Sequence, residues 1–298
     1  MNLQTLGGFH SFRQLTRSVL PHPSNPTLAY LYRRFLTRRL LHQIPAGKFL
    51  EIGVGSGRFY EELEERGFSG LCLDLNPDLI RQHQTWRKTT RNLIEFRSFD
   101  FFALREKFDL ILAFEVLEHY QDDEICLRKW ESLLGPKGTL IFSVPAHMRQ
   151  WTRNDARAGH ARRYEKNELL SKLAATSFHT EVIWCYGFPI LNWTYPLSSL
   201  VFKNEPAALE QIERRCPALA QSIQPSISMP ADQIDCDYKG AQAHAADFER
   251  TSQSGNRGLP GWSNWIFHEW LWFPWLQLQR PFLEGNRGIG FIVKCRKN

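Results

Sequence analysis

Apolar residues recur along the chain in two alternating patterns. Short, nearly continuous apolar runs, which are typical of buried strands, occupy residues 49–52, 70–74, 93–99, 108–114, 139–144, 179–186 and 288–295. Segments that predict helices separate them: one runs through residues 61–63 and stops at Gly67, one opens at Pro77, and two lie at residues 122–134 and about 167–175. Strands that alternate with helices predict an α/β fold with a doubly wound, Rossmann-like, mostly parallel sheet of seven strands.

The parts of the chain outside this alternation differ in composition. Residues 27–43 carry apolar side chains at helical spacing with arginines between them, which predicts an amphipathic helix. Residues 188–286 are rich in Pro and include a Trp-dense stretch at 262–275. We therefore expect a basic N-terminal arm and helix, a central domain, and an insertion before the last strand, at residues 1–45, 46–187 with 287–298, and 188–286 respectively.

The net charge of the chain comes from its N-terminal segment. Residues 1–50 contain no Asp or Glu and seven basic side chains, which are Arg13, Arg17, Arg33, Arg34, Arg38, Arg39 and Lys48. Since the whole chain carries +6, the remaining residues sum to −1. A basic amphipathic segment predicts either contact of residues 1–43 with an anionic membrane or an ordinary solvated helix face.

Cysteine usage and hydropathy indicate the compartment. The six cysteines are scattered, without the paired spacing of a zinc site. No apolar run reaches the roughly 18 residues of a membrane-spanning helix. We expect a cytoplasmic protein, with peripheral membrane contact as an extension of that prediction. The Arg-rich, acid-free N-terminus also leaves an organelle transit peptide open.

The first strand ends in a glycine-rich turn. Gly53, Gly55 and Gly57 follow it directly, and backbone without side chains lets a ligand approach closely at the carboxyl end of a parallel strand. The spacing departs from the G-x-G-x-x-G dinucleotide fingerprint, whose third glycine would fall on Arg58. This turn predicts a nucleoside-type ligand and disfavours a nicotinamide oxidoreductase.

Carboxylates follow the second and third strands. Asp74 is placed to accept hydrogen bonds from both hydroxyls of a ribose, and Asp100 from an adenine amino group. Leu75 and Phe101 stand beside them and are candidates to enclose the ring. A structural interpretation stays open for each carboxylate, since Asp74 could cap the next helix and Asp100 could stabilise a turn.

In this order, the motifs resemble those of class I S-adenosylmethionine-dependent methyltransferases over about residues 48–186 and the last strand. Residues 49–57 look like the family's first motif, residues 73–77 like its ribose-binding segment, and residues 108–119 with 134–140 like its fourth and fifth strands. The resemblance implies S-adenosylmethionine as cofactor and a small or lipid-like acceptor that is O- or C-methylated. It also implies a donor-binding set of Glu51, Gly53, Gly55, Gly57, Asp74, Leu75, Asp100, Phe101 and Phe114.

Titratable side chains follow the fourth strand at Glu115, Glu118 and His119. If this segment is helical, the three share one face. An imidazole with an ordinary pKa near 6.5 suits a general base, so we predict catalytic roles for His119 and Glu115, with a structural His119 left open. Similarity to metal-assisted quinone-pathway O-methyltransferases implies a further alternative, in which Glu115, Glu118 and His119 hold a divalent cation.

The segment after the fifth strand is dense in cationic side chains. Residues 159–164 resemble the acceptor-side segment of small-molecule methyltransferases, which implies substrate contacts by His160, Arg162, Arg163 and Tyr164. Either arginine is suited to clamp a carboxylate or phosphate. In the alternative interpretation the arginines pair with Asp155 and Glu165 at the surface. The Trp-dense stretch predicts an apolar acceptor pocket, a membrane interface or core packing.

Three other function classes are compatible with the sequence, and the sequence disfavours one of them. The basic arm suits a nucleic-acid methyltransferase, but residues 114–117 lack the Asn/Asp-Pro-Pro-aromatic sequence of amino-group enzymes, and no separate RNA-binding module is visible. Nucleic acid is therefore disfavoured as a partner. A protein methyltransferase and a catalytically silent, methyltransferase-like binding scaffold complete the alternatives.

Overall fold

The computed structural model describes residues 27–86, 93–194 and 269–298. Of these, residues 28–194 and 278–298 form one unit that contains the sheet, whereas residues 27 and 269–277 belong to a second unit. The second unit is represented by most of one helix, which contains Pro274. Half of the Trp-dense stretch, residues 262–268, lies outside the described residues. Among those described, none of the helices combines the length and apolar character needed to cross a membrane.

Seven strands form one sheet, which confirms the predicted fold class. They are β1 (Lys48–Ile52), β2 (Ser69–Asp74), β3 (Ile94–Ser98), β4 (Phe108–Phe114), β5 (Leu134–Pro145), β6 (Phe178–Tyr186) and β7 (Gly290–Lys297). Their order across the sheet is β3-β2-β1-β4-β5-β7-β6, and β7 runs antiparallel to both of its neighbours. β1 and β4 lie at the centre and are buried along most of their length, as near-continuous apolar parallel strands require.

The described helices are α1 (Leu28–Leu40), α2 (Phe59–Glu65), α3 (Pro77–Trp86), α4 (Asp123–Leu133), α5 (Arg153–Ala158), α6 (Lys166–Ala174) and α7 (Glu269–Leu278). Residues at the N-termini explain where two of these helices begin. α3 begins at Pro77, whose fixed φ suits a first helical turn. At α4 the side chain of Asp122 accepts from the Ile125 amide at 3.1 Å, which caps the helix. Within the core, Trp130 of α4 and Leu169 of α6 are fully buried.

The Gly-Pro-Lys-Gly sequence at residues 135–138 predicts a turn before the fifth strand, and this prediction is wrong. These residues belong to β5, which begins at Leu134 and pairs with Phe108 there, whereas the next partners are Leu110 and Thr139. The register therefore shifts, and the four residues are accommodated as an irregularity inside one strand. Gly and Pro signal a break in the chain direction but do not distinguish a turn from a bulge of this kind.

The last two strands close the sheet on one side. β6 pairs with β7 from Phe178 opposite Lys297 to Tyr186 opposite Gly290. Residues 187–289 therefore connect two neighbouring strands, in agreement with an insertion between two strands of one sheet. The domain boundaries predicted at residues 45, 187 and 287 stay a prediction.

The predicted amphipathic helix forms as α1. Its apolar face is buried through Leu31, Tyr32, Phe35, Leu36 and Leu40. Its arginines bind side chains of the same unit: Arg33 donates to the Tyr186 hydroxyl, Arg34 and Arg38 both bind Glu62 of α2, and the guanidinium of Arg39 lies 5.7 Å from the Trp184 ring. These contacts of its arginines hold α1 against the unit that contains the sheet.

We expect Glu62 to anchor α1. Replacing it with Ala leaves two largely buried guanidinium groups without their carboxylate, so Glu62→Ala should lower the free energy of unfolding by about 2–4 kcal/mol. Urea unfolding at pH 7 measures the change. The exposed Glu65 of the same helix provides the control, and Glu65→Gln should stay within about 0.5 kcal/mol of wild type.

The contribution of Glu62 should also depend on pH. Burial raises the pKa of its carboxyl, but Arg34 and Arg38 outweigh burial and hold the pKa below its ordinary value. The stabilisation is therefore complete above the unfolded pKa of about 4.3 and is lost as pH falls through the lower folded value. The stability gap between wild type and Glu62→Gln should shrink over that acidic range. A gap that stays constant down to pH 3 contradicts the ion pair.

Candidate active site

The glycine-rich turn between β1 and α2 needs its glycines for two different reasons. Gly53 and Gly55 have φ of +70° and +52°, the left-handed region that other residues rarely adopt. A Cβ on Gly53 would also lie 2.8 Å from Cγ2 of Val116, and one on Gly57 would lie 3.1 Å from the Tyr30 ring. The turn is therefore bounded by the loop after β4 and by α1.

Asp74, the last residue of β2, holds this turn in place. One of its oxygens accepts from the Gly55 amide at 2.8 Å, and the other accepts from the Asn76 amide at 2.8 Å. Burial raises the pKa of Asp74, and these backbone hydrogen bonds oppose that shift. The Leu75 amide also interacts with this carboxylate, which has about four lone-pair sites and so keeps acceptor capacity for a ligand.

The carbonyl of Gly55 is held from the opposite side by His83 of α3. His83 Nε2 lies 2.7 Å from that oxygen, and its Nδ1 lies 3.0 Å from the Tyr60 hydroxyl. Because a carbonyl only accepts, the proton of the neutral ring belongs on Nε2. His83 is fully buried and stacks on Phe96. No motif in the sequence points to this contact.

Asp100 stands at the carboxyl end of β3 and caps a short 3₁₀ turn. Its side chain accepts from the Phe102 amide at 2.9 Å, and burial raises its pKa. Phe101 is buried in the hydrophobic core, whereas Phe102 stays partly exposed beside Asp100, and Leu75 is half-buried. Phe102 and the exposed Phe99 therefore offer accessible aromatic rings next to Asp100, and the sequence interpretation selected neither.

Two further predicted donor residues lie on the central strands. Glu51 of β1 is buried, and burial raises the pKa of its carboxyl to about 8 despite a contact with the Cys72 thiol. Glu51 is thus protonated at neutral pH and able to donate a hydrogen bond. Phe114 ends β4 half-buried, with its ring edge-to-face against Phe59.

Glu115 follows β4 in a strained conformation, with φ of +55°. Its Oε1 accepts from the Ser143 hydroxyl at 2.7 Å and from the Tyr186 hydroxyl at 3.4 Å, and Nη1 of Arg33 lies 3.6 Å away. Its other oxygen, Oε2, has no hydrogen-bond partner among the residues that the structure describes. The side chain is 25% exposed, so this oxygen is the accessible one.

The structure brings His119 together with Glu118 and His160. One ligating atom from each of these side chains lies within 4.8 Å of the others. Glu115 is not a member of this cluster, because residues 117–119 form a short 3₁₀ turn and Glu115 has left-handed backbone, so the expected shared helical face does not form. His160, placed by the sequence on the substrate side, occupies the third position.

The electrostatics of this cluster are unusual. Glu118 is completely buried, and neither of its oxygens has a hydrogen-bond partner in the described part of the chain. Burial, reinforced by the nearby Glu115 carboxylate, raises the pKa of Glu118 well above its ordinary value. Desolvation, reinforced by His160, lowers the pKa of His119 to about 4. At neutral pH His119 is uncharged and a weak base.

Outer contacts orient both imidazoles beside Glu118. His119 Nδ1 lies 3.2 Å from the Gly159 carbonyl, and His160 Nδ1 lies 3.1 Å from Asp155. The backbone of Glu115 is a second hydrogen-bond partner of the His119 ring. Nε2 of His160 is 3.6 Å from Glu118 Oε1. The arrangement is one in which outer hydrogen bonds orient two imidazole ligands.

The other predicted substrate residues are engaged within the protein. Arg163 is buried, donates from Nε and Nη2 to the two oxygens of Asp155 at 2.9 Å, and reaches the Ala146 carbonyl. Tyr164 is buried and donates to Asp123 at 2.8 Å. Arg162 also binds Asp123 and remains partly exposed. The ion pair of Arg163 with Asp155 foreseen as an alternative forms, but in the interior.

Comparison with known proteins identifies a matching family and several similar proteins. A family described as a methyltransferase domain matches residues 25–190, more than half of the chain. Ubiquinone biosynthesis O-methyltransferases of Xanthomonas campestris pv. campestris and Azorhizobium caulinodans are each 29% identical, over 105 and 132 residues. These stretches are 34% and 41% of this chain and 44% and 52% of the relatives, so the chain spans about half of their length.

Among solved structures, a putative sarcosine dimethylglycine methyltransferase from Galdieria sulphuraria aligns with a TM-score of 0.51 and 12% identity. The alignment covers 91% of this chain and 85% of that one, and at this identity it shows the shared fold alone. The family match rests on the segment that carries the glycine turn, Asp74 and Glu115. The chain therefore belongs to the methyltransferase domain family, which confirms its resemblance to class I S-adenosylmethionine-dependent methyltransferases.

Proposed function

We propose that this protein transfers the methyl group of S-adenosylmethionine to a small or lipid-like acceptor. The observation that carries the proposal is the position of two features at one edge of the sheet. Asp74, at the carboxyl end of β2, holds the glycine turn, and Glu115 has an open carboxylate oxygen at the carboxyl end of β4, two strands away from β2. Ligands of doubly wound sheets bind at this edge. A donor bound across it would lie between a nucleoside-binding half and an acid–base half.

In the donor half, Asp74 accepts from the ribose hydroxyls while it keeps its two amide contacts. Asp100 accepts from the adenine amino group, with Phe101 and Leu75 as the predicted walls and Phe102 as an accessible ring. Glu51 and Phe114 line the floor between β1 and β4.

Arg33 is suited to bind the carboxylate of the donor's methionine moiety. Tyr30, one helical turn earlier, covers Gly57, so α1 crosses the glycine turn just before Arg33. Arg33 contacts Tyr186 and Glu115 through Nη1 alone, and its other N–H groups have no partner in the described ranges. A guanidinium with a free edge binds a carboxylate with two parallel hydrogen bonds.

At the acceptor, methyl transfer is an in-line displacement. The carbon–sulfur bond of the sulfonium breaks as the bond from methyl carbon to acceptor oxygen or carbon forms, and S-adenosylhomocysteine leaves. A hydroxyl acceptor also loses a proton, and we assign its removal to Glu115 Oε2. His119, with its pKa near 4, is less suited to that step than the sequence suggested.

The residues at Glu118 fit a divalent cation. A buried carboxylate without partners and two imidazole rings are a donor set that suits a transition-metal ion such as Zn²⁺ or Fe²⁺ better than Mg²⁺. Glu118, His119 and His160 would hold the ion, with Asp155 and the Gly159 carbonyl orienting the rings. When bound, such an ion lowers the pKa of a nearby hydroxyl.

The nature of the acceptor is the least constrained part of the proposal. The names of the O-methyltransferase relatives support a phenolic, lipid-linked hydroxyl, whereas a protein or nucleic-acid acceptor or a silent scaffold is the alternative. We assign Arg163 and Tyr164 to holding the acceptor-side loop, acceptor contact to Arg162, and cation binding to His160, which the sequence placed among the acceptor contacts. Membrane contact stays a prediction that the arginines of α1 do not support, because they bind Tyr186, Glu62 and Trp184.

Donor binding should depend on Asp74. Asp74→Ala removes the ribose acceptor and frees the Gly55 amide, and since charge-assisted hydrogen bonds contribute about 1.5–3 kcal/mol each, S-adenosylmethionine should bind at least about tenfold more weakly. Calorimetry on folded protein measures this, with the exposed Glu95→Gln as control. Unchanged affinity in Asp74→Ala removes the ribose assignment. Wild-type protein that binds no donor removes the proposed function.

The cation proposal predicts a specific set of ligands. Zn²⁺ at a hundredfold excess over its dissociation constant should stabilise wild-type protein by about 2.7 kcal/mol, seen as a higher Tm. His119→Ala, His160→Ala and Glu118→Gln should each abolish the increase, whereas Glu115→Gln should keep it. If Glu115→Gln loses the increase and His160→Ala keeps it, the ligand set read from the sequence is the correct one.

Measurements of turnover distinguish three roles for His119: cation ligand, general base and structural residue. Loss of methyl transfer on chelation, restored by Zn²⁺ or Fe²⁺, supports the cation. Activity that resists chelation but falls about 10²–10⁴-fold in His119→Ala, with donor affinity intact, returns His119 to the general-base role. Activity that resists both leaves His119 structural.

A further inference from the structure

Tyr186 reaches the candidate active site from the far side of the sheet. It is the last residue of β6, the edge strand, and β7 and β5 separate it from β4. Its hydroxyl nevertheless donates to Glu115 Oε1 at 3.4 Å and accepts from Arg33 at 3.3 Å. The side chain is 1% exposed, so the hydroxyl is committed to these two partners.

A glycine on the intervening strand opens the path for this side chain. Gly290 of β7 is paired with Tyr186 on one side and with Pro145 on the other. A Cβ on Gly290 would lie 2.5 Å from the Tyr186 hydroxyl oxygen and 2.6 Å from Cζ of its ring. The ring therefore lies directly over bare backbone, which no other residue at position 290 provides.

The hydroxyl completes a three-sided hold on one oxygen of Glu115. Ser143, fully buried on β5, donates to Oε1 at 2.7 Å, and Arg33 of α1 approaches the same atom. The three groups come from three separate elements, and they fix a carboxylate whose backbone is in a strained, left-handed conformation. Oε2 is left for the acceptor.

We propose that Tyr186 is a positioning residue for methyl transfer, and that Gly290 exists at its position to let the Tyr186 hydroxyl reach Glu115. The inference rests on the proposed function, in which Glu115 Oε2 receives the proton of the acceptor hydroxyl. Tyr186 keeps its own proton throughout. Burial, reinforced by Glu115, raises the pKa of its hydroxyl, so it acts as a hydrogen-bond donor and not as the base.

Three variants and a control test this role. Tyr186→Phe removes the hydroxyl, Gly290→Ala displaces the ring, and the double variant combines them. Thr180→Val removes a hydroxyl from the other end of β6, where Thr180 contacts Cys295. Turnover is followed as transfer of a tritiated methyl group from S-adenosylmethionine to the small-molecule extract fraction that wild type labels most. Calorimetry with S-adenosylhomocysteine reports the nucleoside site separately.

Tyr186→Phe should lower kcat by about ten- to a hundredfold, the size expected for a misplaced catalytic group. The affinity for S-adenosylhomocysteine should be preserved, because Glu115 still holds Arg33 when the hydroxyl is removed. Gly290→Ala should lower kcat similarly, and the double variant should be no slower than Tyr186→Phe. Thr180→Val should keep wild-type kcat. Effects that multiply in the double variant would show that Gly290 acts independently of Tyr186. A Tyr186→Phe protein with wild-type kcat overturns the proposal.

A spectroscopic readout tests the contact without any acceptor. In protein with ¹³C-labelled Glu carboxyl groups, the resonance absent from Glu115→Gln belongs to Glu115. It should shift in Tyr186→Phe and in Gly290→Ala and stay in Thr180→Val. A resonance that does not move in Tyr186→Phe overturns the positioning role, even if Gly290→Ala fails to fold. If wild-type protein binds no donor but the Glu115 resonance shifts in Tyr186→Phe, the proposed function is contradicted and the contact is established.

Discussion

The Gly55 amide donates to Asp74 while the Gly55 carbonyl meets His83, so the two peptide groups that flank this left-handed glycine are fixed by side chains from the second strand and the helix after it. Without these contacts, a glycine turn of this length has many accessible conformations, and glycine loses more conformational freedom on ordering than any other residue. Because the turn is ordered within the protein, the donor does not have to order it. The remaining parts of the site are placed relative to this turn: Val116 approaches it from the loop after β4 and Tyr30 from α1.

Helix α1 shows how a charge pattern acquires its meaning from tertiary structure. Seen along the sequence, its arginines form a basic stripe without acidic neighbours. In the folded chain, two of them bind Glu62 and a third reaches Tyr186 and the Glu115 carboxylate. The acidic partners come from elements that follow α1 in the chain, so composition within residues 1–50 does not reveal them. The carboxylates that its arginines bind belong to the helix after the glycine turn and to the residue after β4, so α1 is part of the site.

The fold could be predicted from the sequence because its signals are local. Apolar runs that end at Gly53, Asp74 and Asp100 identify strand ends, and parallel strands bring their carboxyl ends to one edge. The partners within the site are not local. His160 joins Glu118 only because the loop after β5 returns over the segment after β4, and Tyr186 reaches Glu115 only because Gly290 lies between them. The expectation of a helical face at residues 115–119 failed because Glu115 adopts left-handed backbone, which no side-chain periodicity reports.

The order of strands in the sheet has a consequence for the assembly of the chain during synthesis. β1 to β5 pair with one another from a continuous stretch, but the free edge of β5 is covered by β7, and β6 has β7 as its neighbour in the sheet. Until residues 290–297 leave the ribosome, β5 presents an unpaired edge rich in Leu, Ile and Val, the kind of surface that associates with other chains. The nucleoside-binding half therefore matures early, whereas the half that holds Glu115 waits for the last strand. Chaperone dependence and sensitivity to loss of residues 290–297 should concentrate in that second half.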